Sequence, residues 1–515
     1  MNANFRAALA LLPDYLGAHL LLSVSAILLG TAFGLPLAVI ASRRKGWRSA
    51  LLGFASIVQT IPALALLALF YPLLLALSLA TQKVLGFGVP ALGWFPALLA
   101  LTLYAMLPVL RNTVTALTGI EPAVLIAAKS VGMTPRQSLL MVELPLAAPV
   151  IVAGIRTASV WVVGTATLST PVGQTSLGNY IFTGLQTENW VFVLFGCVSA
   201  AVLALVLDAL LALAASGLAQ PSRPRLLLAC AGLVAIMLAS LVPLYSAPKD
   251  AIVVGAKNFT EQYVLAELIA SRLQGAGIPT VLKSDLGSTV AFHALAANAI
   301  DVYVDYSGTV WGNEMHRHDM PGRQAMLEQL GAWLEKNHHV DLVGPLGFEN
   351  AYVLAMRADR ARALHIKTLT DLGVQSSNLN MGGDFEIFSR PEWKAVVRTY
   401  GFAFAAQRQY QPDFLYRAAA DGSVDVISAF SSDSRIARYG LMILVDTRSA
   451  LPPYDAILLL AQRHAANLRP LLKPLVGSIS LAAMQHANLM VDRDHKTAAD
   501  AAAWLNKAEP SKRRP

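Results

Sequence analysis

The run LLLACAGLVAIMLASLVPLY, residues 226–245, leads through SAPKD, residues 246–250, into AIVVGAKNFTEQYVLAELIASRL, residues 251–273. Its first part carries no charge over twenty positions. About 30 Å of hydrocarbon, crossed at 1.5 Å per helical residue, demands that length. The last part reverses character. Ala251 to Gly255 reads as a short strand, Lys257 to Gln262 as a polar turn, and Tyr263 to Leu273 as a helix. A membrane domain ends here and a soluble α/β domain begins.

Toward the N-terminus the same apolar signal recurs near Leu16–Ala41, Ser49–Ala80, Phe95–Leu117, Leu146–Thr170 and Val191–Ala215, which with Leu226–Tyr245 predicts about six spans. The first is too long, and too closely followed by further spans, for a cleaved signal peptide. The 515 residues exceed one ordinary domain, and the 55% hydrophobic and 14% charged composition departs from that of a soluble globule mainly through the first half. The expected division is a transmembrane domain over residues 1–245, a soluble domain over 250–508 and a disordered basic tail over 509–515.

Lysine and arginine in short loops mark the cytoplasmic side. Arg43, Arg44, Lys45 and Arg48 follow the first span, Arg111, Lys129 and Arg136 the third, and Arg223 and Arg225 the fifth, whereas the alternate loops carry almost none. The N-terminus and the soluble half are therefore expected outside, in an inner-membrane protein in contact with lipid. Arg111 and Arg156 read as snorkelling or loop-facing residues near span ends. Because topology explains much of the formal charge of +8, a nucleic-acid partner is not expected. Cys197 and Cys230 fall inside apolar spans and read as small hydrophobes.

Between the third and fourth spans lies EPAVLIAAKSVGMTPRQSLLMVELPLAAP, residues 121–149, amphipathic and helical on both sides of a break near Gly132–Pro135. It holds no nucleophile with a base and no metal-ligand spacing, but an apolar face of this kind suits docking into a partner's groove. Ala127, Ala128, Gly132, Glu143, Leu144 and Pro145 resemble the "EAA" loop of ABC importer permeases. Gly154-Ile155-Arg156-Thr157-Ala158 and Gly164-Thr165-Ala166-Thr167-Leu168 extend the resemblance to the osmoprotectant permeases for betaine, choline and carnitine. The resemblance implies coupling to a cytoplasmic ATPase through Ala127, Ala128, Gly132 and Pro145. One departure is Ile126, which stands where the family opens its motif with glutamate. No GxxxxGK[ST] phosphate loop occurs, so ATP and magnesium belong to a separate ATPase and no cofactor is expected on this chain. About six spans per chain imply a permease homodimer, as such importers need two membrane subunits.

In the soluble half, four segments place an aromatic beside a turn or strand end: Asp301–Thr309, Gly347–Tyr352, Ser423–Asp433 and Pro452–Asp455. Singly, each aromatic reads as core. In this order and spacing they resemble the solute-binding proteins of osmoprotectant importers, as does the stretch from Ala251 to Leu505. The implied fold is a type I importer permease followed by a two-lobed α/β periplasmic-binding-protein domain that closes on its ligand. The implied site is an aromatic box of Tyr306, Tyr352, Phe430 and Tyr454 around a quaternary ammonium, with Gln262, Thr309, Asn258 and Asn350 as polar contacts. A quaternary ammonium has no N–H to donate, so aromatic faces, at about 0.5–2 kcal/mol each, are the chemistry that selects it. Phe430 replaces the family's usual tyrosine and Asp305 its usual glutamate. The loop Gly382–Pro391 adds polar groups that could read a larger ligand, which keeps ergothioneine beside glycine betaine, choline and carnitine.

His316, His318, His338 and His339 lack the spacing of a metal site. A membrane-tethered enzyme would need a Ser, His and Asp constellation, and none stands out. A ligand sensor would have no use for an ATPase-docking loop. The reading is a non-enzymatic importer subunit.

Overall fold

The computed structural model describes residues 3–85, 93–187, 189–220, 222–246, 251–317, 319, 321–384, 387–448 and 450–508. Lys249, His318, Phe385, Glu386 and the 509–515 tail, all named above, lie outside them. The chain forms two compact units, residues 8–181 with 192–247, and residues 1–7, 182–191 and 248–515.

Five helices of the described residues are long and apolar enough to cross a membrane, or six if a bent pair of helices counts as one span. The first helix runs Ala3–Arg43, beginning well before the expected Leu16. Its early turns are used: Ala8 is buried, and its carbonyl accepts the Tyr180 hydroxyl at 2.5 Å. The expected continuous second span is corrected. It is two helices, Lys45–Thr60 and Ala63–Leu85, bent by 103°. Pro62 is the physical reason, because a residue before proline is pushed out of the helical region, and Ile61 is extended at φ −74, ψ 125. Helices Trp94–Thr118, Leu144–Ala166, Trp190–Ala219 and Arg223–Ser246 match the remaining expected spans. Trp94–Thr118 and Leu144–Ala166 form the centre of the membrane unit. Gly154 makes their close approach possible, since a β-carbon there would lie 2.7 Å from Asn112 Cβ and 2.9 Å from the Pro108 carbonyl.

Among the described residues the soluble unit has ten strands: β1 Ile252–Lys257, β2 Thr280–Leu286, β3 Val302–Tyr306, β4 Val340–Glu349, β5 Tyr352–Arg357, β6 Asn380–Gly383, β7 Ala406–Gln409, β8 Val426–Phe430, β9 Leu441–Ile443 and β10 Asp455–Ala461. They build two five-stranded sheets, ordered β2-β1-β3-β10-β4 and β7-β6-β8-β5-β9. Each sheet mixes parallel pairs, β1 with β2 and β6 with β7, and antiparallel pairs, β3 with β10 and β5 with β8. Helices cover both, as near-continuous apolar strands such as fully buried β10 require. The chain crosses between the lobes at Asn350–Ala351 and returns after β9. The two crossings touch where the Asn350 N–H donates to the Tyr454 carbonyl at 2.9 Å.

Candidate functional site

Strand ends and helix starts converge between the two lobes on a cavity of about 260 Å³. The near lobe supplies the turn after β1, with Asn258 and Phe259, and the first turn of helix Thr260–Gly275 with Thr260 and Glu261. It also supplies Tyr306 at the end of β3 and Thr309 just beyond. The far lobe supplies Tyr352 at the start of β5 and Phe430 at the end of β8, which are cross-strand partners. Tyr454 enters from the second crossing.

The aromatic rings form one continuous group. Tyr352 lies 4.6 Å from Phe430 and 5.7 Å, edge to face, from Tyr454. Phe259 closes the arrangement from the near lobe, stacked on Phe430 at 6.4 Å and on Tyr306 at 6.1 Å. The four expected aromatics are thus brought together, and Phe259 is a fifth that the sequence reading passed over. Its signal was present, between Asn258 and Thr260 at a strand-to-helix turn.

Polar groups hold these rings. The Tyr306 hydroxyl donates to Glu261 Oε1 at 2.5 Å and accepts from Gln262 Nε2 at 3.0 Å. Gln262, expected as a polar contact, lies behind Tyr306 and not on the cavity wall. Its amide is spent on the Val304 carbonyl, the Lys257 N–H and the Tyr306 hydroxyl, and it is 1% exposed. Thr309, Asn258 and Asn350 do line the cavity. Beneath Tyr306, Lys257 forms a fully buried ion pair with Asp305, which also accepts from the Tyr303 hydroxyl and the Tyr306 N–H. The Tyr454 hydroxyl donates to Glu392 of the far lobe at 2.7 Å, and the Arg390 guanidinium lies 5.1 Å over the Tyr352 ring.

Burial pushes the Glu261 carboxyl up to about 7 against hydrogen bonds from Ser432, Tyr306 and Asn488 that favour its charge. Burial likewise raises Asp492, to about 6, against the Arg435 guanidinium. Asp492 joins the lobes, accepting from Thr260 of the near lobe and Ser434 of the far lobe, both at 2.6 Å. Asn488, one turn earlier on the same helix, donates to the Ser432 carbonyl at 3.0 Å. The lobes are therefore joined around the cavity. Asn488 and Asp492 carried no sequence signal, being ordinary polar positions on the helix Leu481–Asp492.

Of the histidines, His338 packs on Trp333 at 4.5 Å and His339 meets Gln462 at 3.2 Å. Among the described residues no three His, Cys, Asp or Glu side chains are grouped to hold a metal.

In the membrane unit the 121–149 loop forms helix Pro122–Ser130, a turn at Gly132, a Thr134–Gln137 capping box and a π-helical turn Leu139–Glu143 that runs into Leu144–Ala166. Gly132 has φ +80, a conformation that side chains with a β-carbon resist. Ala128 is buried, whereas Ala127 and Pro145 are exposed. Ile126, Val131, Leu140 and Met141 expose 53–73% of their surface. Glu143 anchors the loop: it is buried, accepts from both Arg43 at 2.6 Å and Ser138 at 3.0 Å, and so ties the loop to the end of the first helix.

Two α/β lobes closing on a cleft, on one chain with a polytopic helical unit, define a solute-binding domain fused to a membrane permease. Residues 250–507 match the family described as substrate binding domain of ABC-type glycine betaine transport system, and residues 30–220 match binding-protein-dependent transport system inner membrane component. The chain belongs to the first of these families over half its length, and it is an integral membrane protein of the ABC transport class. It is 29% identical over 480 residues, 89% of this chain and 83% of the relative, to the ergothioneine transport permease/ergothioneine binding protein EgtU of Helicobacter pylori (strain G27). It is 39% identical over 208 residues, 40% of this chain and 88% of the relative, to the choline transport system permease protein OpuBB of Bacillus subtilis (strain 168). A solved glycine betaine/carnitine/choline ABC transporter structure aligns with 50% of this chain and 97% of its own, at 25% identity and a TM-score of 0.45.

Proposed function

We propose that the chain is the permease and solute-binding subunit of an importer for quaternary-ammonium solutes of the glycine betaine, choline and carnitine type. The aromatic group carries this reading: five rings from both lobes surround one small cavity, offering π faces where a cation without N–H donors would lie. The external half catches the solute by lobe closure and delivers it to the membrane unit. A separate cytoplasmic ATPase drives import, engaging the loop of Ala127, Ala128, Gly132 and Pro145 with its exposed apolar side chains. Two copies form the permease, in the inner membrane of a bacterium, with the soluble half on the outer side.

One observation bears on the choice among these solutes and a further one, ergothioneine. The buried Asn350 Oδ1 and Asn488 Oδ1 have no hydrogen-bond partner among the described residues, and both asparagines line the cavity. Such acceptors call for a donor on the ligand. A thioimidazole N–H supplies one, as do the hydroxyls of choline and carnitine, and glycine betaine does not. The deciding experiment is calorimetric titration of the full chain in lipid nanodiscs with glycine betaine, choline, carnitine and ergothioneine. Tight binding of one assigns the solute. Silence for all four removes the quaternary-ammonium reading.

A further inference from the structure

Within the membrane unit, Arg156 and Asp208 form a fork. Arg156 Nε donates to Asp208 Oδ1, and its terminal nitrogen to Oδ2, both at 2.9 Å. Each is the sole charged residue of its helix, Leu144–Ala166 and Trp190–Ala219. Arg156 stands twelve residues, about 18 Å, into the first, and Asp208 eleven residues, about 16 Å, from the end of the second. Both therefore lie well inside their helices, at least ten residues from either end. Arg156, expected to snorkel or face a loop near a span end, is paired with Asp208.

The pair is also not hidden in the helix bundle. Its side chains are 34% and 33% exposed on the membrane unit, in contrast to Glu143, 3% exposed beneath Arg43. Ionised side chains at this depth face a water-containing path far more often than lipid. The exposed residues of the arginine's own helix around it are Ala153, Thr157, Val160, Trp161 and Gly164.

We propose that Arg156 and Asp208 form a transit site for a zwitterionic solute. The guanidinium takes the solute carboxylate in the same two-pronged geometry it now gives Asp208, and the Asp208 carboxylate takes the quaternary-ammonium end. A zwitterion is the charge complement of a split ion pair, so each lost contact is replaced by one of like kind. The pair competes with the solute for its own partners, which keeps the site weak enough to release what it admits. This rests on the solute class proposed above and applies to its zwitterionic members and to ergothioneine; choline has no carboxylate, so a parent chain that takes choline alone overturns the transit site.

The test is the full chain carrying Arg156→Gln with Asp208→Asn, assembled with its ATPase in proteoliposomes. Calorimetric affinity for the solute should stay within twofold of the parent while initial solute uptake falls at least tenfold. Uptake within twofold of the parent would overturn the transit site and leave a purely structural pair. A second measurement needs no transport. In a chain with Cys197→Ala and Cys230→Ala, an Asp208→Cys thiol in intact membranes should react with a charged, membrane-impermeant thiosulfonate. A thiol that reacts only after denaturation faces lipid and rejects the proposal. Failure of the solute class itself would show separately, as a parent chain that binds none of the four solutes.

Discussion

Phe259 of the near lobe stacks on Phe430 of the far lobe, ring centroids 6.4 Å apart and planes within 5° of parallel. The two rings reach each other across the cavity from different sheets, so their contact exists only when the lobes are together. Phe259 thereby couples ligand recognition to closure.

Phe259→Ala should weaken solute binding roughly five- to thirtyfold, from about 1–2 kcal/mol of lost cation–π attraction and stacking. Phe259→Tyr should retain most of the affinity. Calorimetry on the full chain measures both, and an unchanged Kd for the alanine variant would take Phe259 out of the cage.

Asp492 holds both lobes through the Thr260 and Ser434 hydroxyls, two charge-assisted hydrogen bonds. Asp492→Ala should speed solute dissociation about tenfold or more, whereas the association rate changes little. Stopped-flow fluorescence separates the two rates. A slower association with normal dissociation would mean that Asp492 shapes the open form instead.

Removing one member of the buried Lys257–Asp305 pair leaves the other charge in a dry interior. Lys257→Met is therefore expected to cost about 3–5 kcal/mol. That corresponds to a fall of roughly 10 °C in the melting temperature of the soluble unit. Lys257→Met with Asp305→Leu should lose less than the single variant, as read by differential scanning calorimetry. Equal losses in both would show that packing, not charge, dominates the position.

Burial lifts Glu261 from 4.5 to about 7 and Asp492 from 3.8 to about 6. A carboxyl whose folded value is raised binds protons more tightly folded than unfolded between those two values. Stability therefore falls as pH rises through that window and levels off above it, by on the order of 3 kcal/mol for Glu261. Melting temperature should decline from pH 5 to pH 7, and Glu261→Gln should flatten the slope. A parent whose melting temperature rises over that range contradicts the assignment.

Glu143 and Arg43 tie the cytoplasmic loop to the first helix. Glu143→Ala should lower solute-stimulated ATP hydrolysis and transport together while leaving solute affinity unchanged, and the exchange Arg43→Glu with Glu143→Arg should restore part of both. Full activity of Glu143→Ala in reconstituted vesicles would reduce the clamp to a surface contact.

The sequence by itself determined the two-part architecture, because twenty-residue apolar runs and alternating strand-helix patterns are local signals that need no partner to be read. Tyr306, Tyr352, Phe430 and Tyr454 singly read as core, and it was the resemblance of their four segments, in order and spacing, to a solute-binding family that implied a box. Other features required the folded chain. Pro62 announced a weak point, but only the structure shows a 103° bend where one straight span was expected. Gln262 stood in the motif beside Phe259, yet side-chain direction at the helix start turned one into the core and the other onto the cleft. Asp492 and Thr260 meet across 232 positions, and Arg156 and Asp208 across 52. A charged residue's sequence neighbourhood reports its span, but its partner is chosen by packing between helices. The closure contacts and the Arg156–Asp208 pair were therefore decided by tertiary structure alone.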